Sequence, residues 1–311
     1  MRIAVYPHDL AVGGSQLNAI ELGAAVHRLG HPTLVVGRPG ALVDRVTELG
    51  LEFVELPAPS KRPSRRVALA LRSLLREREI DVVHGYEWPP TLEAVWAAHG
   101  RRAAAVSTVM SMAVPPFIPH SVPLLVGTEQ IAAAERQRGR VQVQLLEPPV
   151  DLASNGPGLA VGAEEFRRRH GGGAGDVLVV MVTRLAHQLK LEGLLTAMTA
   201  VARLRSSHPV RLVVVGDGPA RAVVQAAAEA ANVASGAGTV VLAGELADPR
   251  PAYAAADIAL GMGGSALRAL SFEVRLAYIG LCRDDYDTRV QPLQEPVRNE
   301  LRAILRGDRE P

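Results

Sequence analysis

The run at residues 211–230, RLVVVGDGPARAVVQAAAEA, constrains the fold more than any other stretch, because a strand, a glycine turn and a helix follow one another without a gap. Leu212, Val213, Val214 and Val215 form an unbroken apolar run, as a parallel strand covered on both faces requires. Gly216 and Gly218 carry no Cβ, so the backbone N–H groups of the turn can approach a ligand closely. Pro219 suits the first helical turn, where its missing N–H has no partner to lose. A helix starting there aims its positive end at the turn and makes an anion site.

The same strand and helix alternation runs through most of the chain. Strand patterns fall at residues 3–6, 33–36, 53–56, 80–84, 104–110 and 124–127, separated by helical patterns at 15–29, 41–49, 65–79, 91–99 and 128–136. In the first helix Leu17, Ile20, Leu22, Ala25 and Val26 lie near one face, and the third is basic and amphipathic. Residues 148–175 break the rhythm with Pro148, Pro149, Gly156 and the Gly171-Gly172-Gly173 run, and hold one short helical pattern at 163–170. Strands at 176–182, 211–215, 239–243 and 258–260 then alternate with helices at 191–204, 220–231 and 249–256. This rhythm predicts two doubly wound parallel sheets: a first domain at 1–147, a linker at 148–175 and a second domain at 176–311. A chain of 311 residues with 48% hydrophobic residues can bury two such cores.

Several function classes lose support at this level. The net charge of +2 gives no reason to expect a nucleic-acid partner. Cys282 is the single cysteine, which rules out an intramolecular disulfide and a multi-cysteine zinc site, and fits a cytoplasmic location. Met1-Arg2 leads directly into an apolar run with no signal-peptide pattern, and no stretch reaches the ~18 apolar residues that span a bilayer. Contact with a membrane surface stays open.

Short segments placed on this scaffold carry a family resemblance. Gly13-Gly14-Ser15-Gln16 follows the first strand; Thr183-Arg184-Leu185 with Lys190 opens the second half; Val215-Gly216-Asp217-Gly218-Pro219 comes next. Gly244-Glu245 precedes Tyr253-Ala254-Ala255-Ala256-Asp257, and Gly261-Met262-Gly263-Gly264-Ser265 closes the series. In this order they resemble the retaining branch of the GT-B glycosyltransferases, of the group 1 type, which includes many bacterial enzymes of glycan and glycolipid synthesis. The resemblance covers roughly residues 1–272.

It implies two Rossmann-like domains facing a central cleft, with the acceptor on the first domain and the nucleotide sugar mainly on the second. Arg184 and Lys190 match the family's basic pair on the donor diphosphate, where fixed cations stabilise a leaving group that gains negative charge. Gly13 and Gly14 would add backbone donors, and Gly261, Met262, Gly263, Gly264 and Ser265 would bring a second helix start to the phosphates or the sugar. Gly244 and Glu245 lie where the family's backbone meets the nucleotide base. The implied reaction moves a sugar from a nucleoside-diphosphate donor to a small-molecule, glycan or lipid acceptor with retention, using the nucleotide sugar as co-substrate and no metal or other cofactor.

Departures from the pattern are equally specific. Leu260 and Arg268 stand where the family carries two glutamates, Met110 where it often has a histidine, and six positions instead of five separate Arg184 from Lys190. His84 lies near another strand end as a candidate catalytic group. From about residue 273 the chain turns charge-dense, with a strand pattern only at 277–282 and a helical one at 291–305, which implies a shortened C-terminus and an incomplete second sheet. Asp284-Asp285-Tyr286-Asp287 reads as a solvated charge run and not as a metal site. These departures leave a second reading, a degenerate family member that binds a nucleotide or partner without turnover. An NAD enzyme is disfavoured, because Arg221 occupies the third glycine position of G-x-G-x-x-G.

Overall fold

The computed structural model describes residues 1–111, 113–159, 162–173, 175–188 and 190–278. The expected helix at 291–305, the acidic run at 284–287, Cys282 and most of the strand read at 277–282 lie outside them. The chain divides into two compact units, Met1–Pro149 and Val150–Pro311.

The first unit is a parallel sheet of β1 (Ile3–Tyr6), β2 (Thr33–Gly37), β3 (Glu52–Glu55), β4 (Val82–Tyr86), β5 (Ala104–Val109), β6 (Leu124–Val126) and β7 (Val143–Leu145). Its seven strands run in the order β3-β2-β1-β4-β5-β6-β7, so the winding reverses between β1 and β4. Helices α1 (Gly14–Arg28), α2 (Val43–Glu48), α3 (Arg65–Glu77), α4 (Trp88–Ala98) and α5 (Glu129–Gln137) make the connections. One face packs α3 and α4 through Leu71, Leu75 and Ala97, and the other packs α1 through Ala19, Ile20 and Ala24. On α1 the buried residues are Asn18, Ala19, Ile20, Gly23 and Ala24: of the expected face Ile20 is buried and Leu17 packs against the core, while Leu22, Ala25 and Val26 are only half-buried. The reason is close approach: a Cβ on Gly23 would come 3.2 Å from Val5, so small residues set the helix on the sheet.

The second unit holds β8 (Val177–Val182), β9 (Val210–Val215), β10 (Val240–Gly244), β11 (Ile258–Gly261) and β12 (Arg275–Tyr278). These five strands run parallel in the order β10-β9-β8-β11-β12, with the reversal between β8 and β11. Helices α6 (Ala163–His170), α7 (Leu191–Leu204), α8 (Arg221–Ser235), α9 (Arg250–Ala255) and α10 (Gly264–Leu270) flank it. Val179, Met181, Leu212 and Val214 face α7 and α8, while Val180, Val213 and Val215 face α6 and α9. Phe166 of α6 is buried in that second cluster, so the helix between the two sheets belongs to the core of this unit.

A buried polar knot fixes the carboxyl edge of the first sheet. Glu93 on α4 is fully enclosed and accepts hydrogen bonds from the Tyr6 hydroxyl at 2.6 Å, the Ser64 amide at 2.7 Å and the Arg62 guanidinium. Arg62 also donates to the His8 carbonyl at 2.9 Å, which ties the loop after β1 to the loop before α3. Burial, with the neighbouring carboxylate, pushes the Tyr6 hydroxyl pKa far up. Removing one member of a buried ion pair leaves the other charge without a partner. Glu93→Ala should therefore lose about 3–5 kcal/mol of unfolding free energy in urea titration. A loss under about 1 kcal/mol would show that the knot is solvated, as in exposed ion pairs.

Candidate nucleotide site

In a doubly wound sheet, ligands bind outside the carboxyl ends of the strands, where the winding reverses. In the second unit that edge carries the β8–α7 loop with Arg184 and Lys190, the β9–α8 turn with Gly216 and Gly218, Glu245 after β10, and residues 261–265 after β11. All the residues expected on the second domain thus share one edge. The reversal between β8 and β11 puts the Arg184 loop and the 261–265 turn nearest the switch.

Arg184 is exposed and Lys190 half-buried, and neither forms an ion pair with another described residue. Burial, and then the charge of Arg184, hold the Lys190 ammonium below its ordinary pKa. Lys190 also stands at the start of the 14-residue helix α7, which has no side-chain cap, so the helix adds its positive end to the two cations. Two cations and an uncapped helix start, with no carboxylate partner among the described residues, have the chemistry to receive an anion.

Gly216 and Gly218 serve the site differently from the expectation that their amides meet a ligand. Gly216 donates its N–H to the Gly244 carbonyl at 2.7 Å, and Gly218 donates to the Asp217 carboxylate at 2.7 Å. Their missing side chains make room for the neighbouring loop instead: a Cβ on Gly216 would lie 1.9 Å from the Thr183 carbonyl oxygen, and one on Gly218 2.5 Å from that of Leu185. Leu185 N–H donates to Asp217 O and Ala220 N–H to Leu185 O, each at 2.9 Å. Segment 183–185 is thereby clamped along the turn with Arg184 as its exposed residue.

The 261–265 turn is partly structural as well. Met262 is buried in the core, and the Ser265 hydroxyl donates back to the Met262 carbonyl at 3.0 Å. Gly263 and Gly264 are exposed at the start of α10. Glu245 is exposed just beyond the edge strand β10, which ends at Gly244 with φ 80. In the first unit Gly13 caps α1 and Gly14 begins it; a Cβ on Gly14 would meet nothing within 4 Å, and one on Gly13 only the tip of Gln16.

Among the departures, Leu260 is buried in the core of the second unit and Arg268 donates to Asn155 at 3.4 Å, so neither stands in for a ligand-holding carboxylate. His84 sits inside the sheet face, its Nε2 2.6 Å from the Thr108 hydroxyl and its ring tilted against Tyr86, with burial pushing its pKa down to about 4. Two features escaped the sequence reading. Asn18 buries both side-chain polar atoms on α1 without a protein partner, inside what reads as an apolar face. Glu87 follows β4 as the residue that caps α4, with φ 64 and ψ 176, signalled only by Gly85 before it and Pro89-Pro90 after it. No group of three or more His, Cys, Asp or Glu side chains among the described residues is arranged to hold a metal.

Comparison with known proteins places this geometry. Residues 176–273 match the family described as glycosyl transferases group 1. Solved structures with a similar fold include a glycosyltransferase from Rickettsia africae, at 14% identity and TM-score 0.74, covering 97% of this chain and 88% of that one. Anabaena HepE in complex with UDP-glucose is similar at 14% identity and TM-score 0.76, over 99% of this chain and 91% of that one. WaaG, a glycosyltransferase of lipopolysaccharide biosynthesis, is similar at 18% identity and TM-score 0.68, over 98% of this chain and 90% of that one. No curated protein matches the sequence. The fold is thus the α/β fold of two parallel sheets found in GT-B glycosyltransferases.

Two outcomes follow from the geometry. Gly216→Ala should unfold at a markedly lower denaturant concentration, by about 3 kcal/mol or more, because a new Cβ meets backbone at φ 143; unchanged stability would show that the loop is not clamped. His84 stays neutral in the fold down to about pH 4, whereas an unfolded histidine titrates near 6.5. Its folded pKa is depressed, so stability is intact above the unfolded value and falls by about 3 kcal/mol as pH drops from 6.5 to 4. Chemical denaturation of wild type and His84→Gln at both pH values should show this acid loss shrinking in the variant; equal losses would contradict it.

Proposed function

We propose that this protein is a glycosyltransferase that moves a sugar from a nucleoside-diphosphate donor to an acceptor. The observation that carries the reading is the pair of cations on the β8–α7 segment, Arg184 exposed on the clamped loop and Lys190 at the uncapped start of α7, both without acidic partners among the described residues. When the bond between the sugar and the diphosphate breaks, the leaving oxygen and both phosphates gain negative charge. Cations already fixed in place favour that state over the intact donor. Several of the similar structures hold UDP or UDP-glucose, which supports a uridine nucleotide as the first donor to try.

The finer parts of the reading follow from the family resemblance. The acceptor is a small molecule, glycan or lipid, configuration is retained, and the co-substrate is the nucleotide sugar, with no metal or other cofactor. On that resemblance Gly244, Glu245 and residues 261–265 of the second unit hold the donor through backbone contacts, and Gly13 and Gly14 of the first unit offer backbone donors at the start of α1. No helix among the described residues is long and apolar enough to cross a membrane, and we place the activity in the cytoplasm.

Calorimetric titration of Arg184→Ala with UDP and with uridine tests the assignment. Loss of a charge-assisted contact should weaken UDP binding about tenfold or more and leave uridine nearly unchanged. An equal effect on both ligands would remove Arg184 from the phosphates.

A further inference from the structure

Both units end the strand beyond their switch point in the same kind of elbow. In the second, Gly261-Met262-Gly263 carries β11 into α10; a Cβ on Gly261 would lie 2.8 Å from Ala266 Cα, and Gly263 takes φ 59 and ψ −137. In the first, Gly85-Tyr86-Glu87 carries β4 into α4; a Cβ on Gly85 would lie 2.8 Å from Thr91 Cα, and Glu87 takes φ 64 and ψ 176. One elbow has the residue that such a backbone favours. The other has a glutamate in a region that is essentially reserved for glycine. Strain of this kind persists where the side chain contributes something that glycine lacks.

The Glu87 carboxylate is half-buried and forms no ion pair with a described residue. Oε1 accepts from the Met110 amide at 2.9 Å, and Oε2 accepts from the Ser111 hydroxyl. A carboxylate has about four acceptor sites, so each oxygen keeps one for a ligand. Beside it Trp88 opens α4, and Phe117 packs edge-on against Trp88 with ring centroids 5.4 Å apart. Phe117 is 54% exposed although it is a large aromatic side chain. Glu87 thus joins, through its chain neighbour Trp88, a loop cluster that exposes an aromatic ring, and an acceptor-only group combined with an exposed aromatic ring suits a ligand ring that has hydroxyls on its rim and C–H groups on its face.

We propose that Glu87, Ser111, Trp88 and Phe117 form a ledge that binds a neutral sugar ring, with ring hydroxyls donating to Glu87 and the C–H face resting on Phe117. Uncompensated negative charge on Glu87 disfavours a phosphorylated or otherwise anionic ring. Resting on the glycosyltransferase reading above, the ring belongs to the acceptor, which makes the acceptor a neutral glycoside or glycan.

Saturation-transfer NMR with methyl α-D-glucopyranoside, methyl β-D-galactopyranoside and glycerol 3-phosphate, together with UDP titration of the same samples, tests this. At least one pyranoside should bind wild type, and glycerol 3-phosphate should not displace it. Phe117→Ala and Glu87→Gly should each weaken that binding about tenfold or more while UDP affinity stays at the wild-type value. Thermal melting of Glu87→Gly against Glu87→Ala checks the premise, since only glycine relieves the elbow and it should melt higher than alanine. Pyranoside binding that is absent from wild type or unaltered in both variants would overturn the ledge, as would alanine melting no lower than glycine. UDP binding without pyranoside binding sinks the ledge alone, whereas absence of UDP binding sinks the nucleotide-sugar reading.

Discussion

The Thr183 and Leu185 carbonyls occupy the space where side chains at positions 216 and 218 would begin. That backbone contact is what the second unit's edge depends on. It pins both residues flanking Arg184 to the β9–α8 turn, and the two hydrogen bonds through Leu185 and Ala220 complete the clamp. A guanidinium on an unconstrained loop would lose conformational freedom on meeting a phosphate. With its loop held in advance, Arg184 would meet an anion at lower entropic cost, and Lys190 follows at the fixed start of α7. Glycine thus matters here as an absence of bulk between two protein segments, and the positive charge that results belongs to the neighbouring loop.

The two edges carry different groups. The second unit presents Arg184 and Lys190 without carboxylate partners among the described residues. The first presents Glu87 at a strained elbow beside an exposed aromatic ring. Holding glutamate rather than glycine at the elbow costs about 1–3 kcal/mol, a cost paired with a buried Glu93–Arg62–Tyr6 knot that stiffens the same sheet edge.

Much of the fold was legible because parallel strands buried on both faces must be written as apolar runs. Residues 177–182 and 210–215 are such runs, and their elements fall within a residue or two of the reading. β7 was missed because Val143, Gln144 and Leu145 make an edge strand too short and too polar to stand out. The α1 face was legible at Ile20 and Leu17 but not at Gly23 and Ala24, because periodicity weighs large side chains, whereas a helix laid close on a sheet turns small residues inward. Site residues were legible as positions on one sheet edge, but not always as roles. Gly216 looks the same in sequence whether a ligand or Thr183 fills the space beside it. Leu260, in a glutamate's place, proves to be core packing. Glu87 left no signal of its own, since a backbone dihedral is not written in residue type.

The account stands or falls on where a diphosphate binds. A crystal structure of the protein grown with UDP measures this directly. Phosphate oxygens should lie within hydrogen-bonding distance of the Arg184 guanidinium and the Lys190 ammonium, at the carboxyl ends of β8 and β11. A diphosphate bound elsewhere, with both cations still facing solvent, would contradict it.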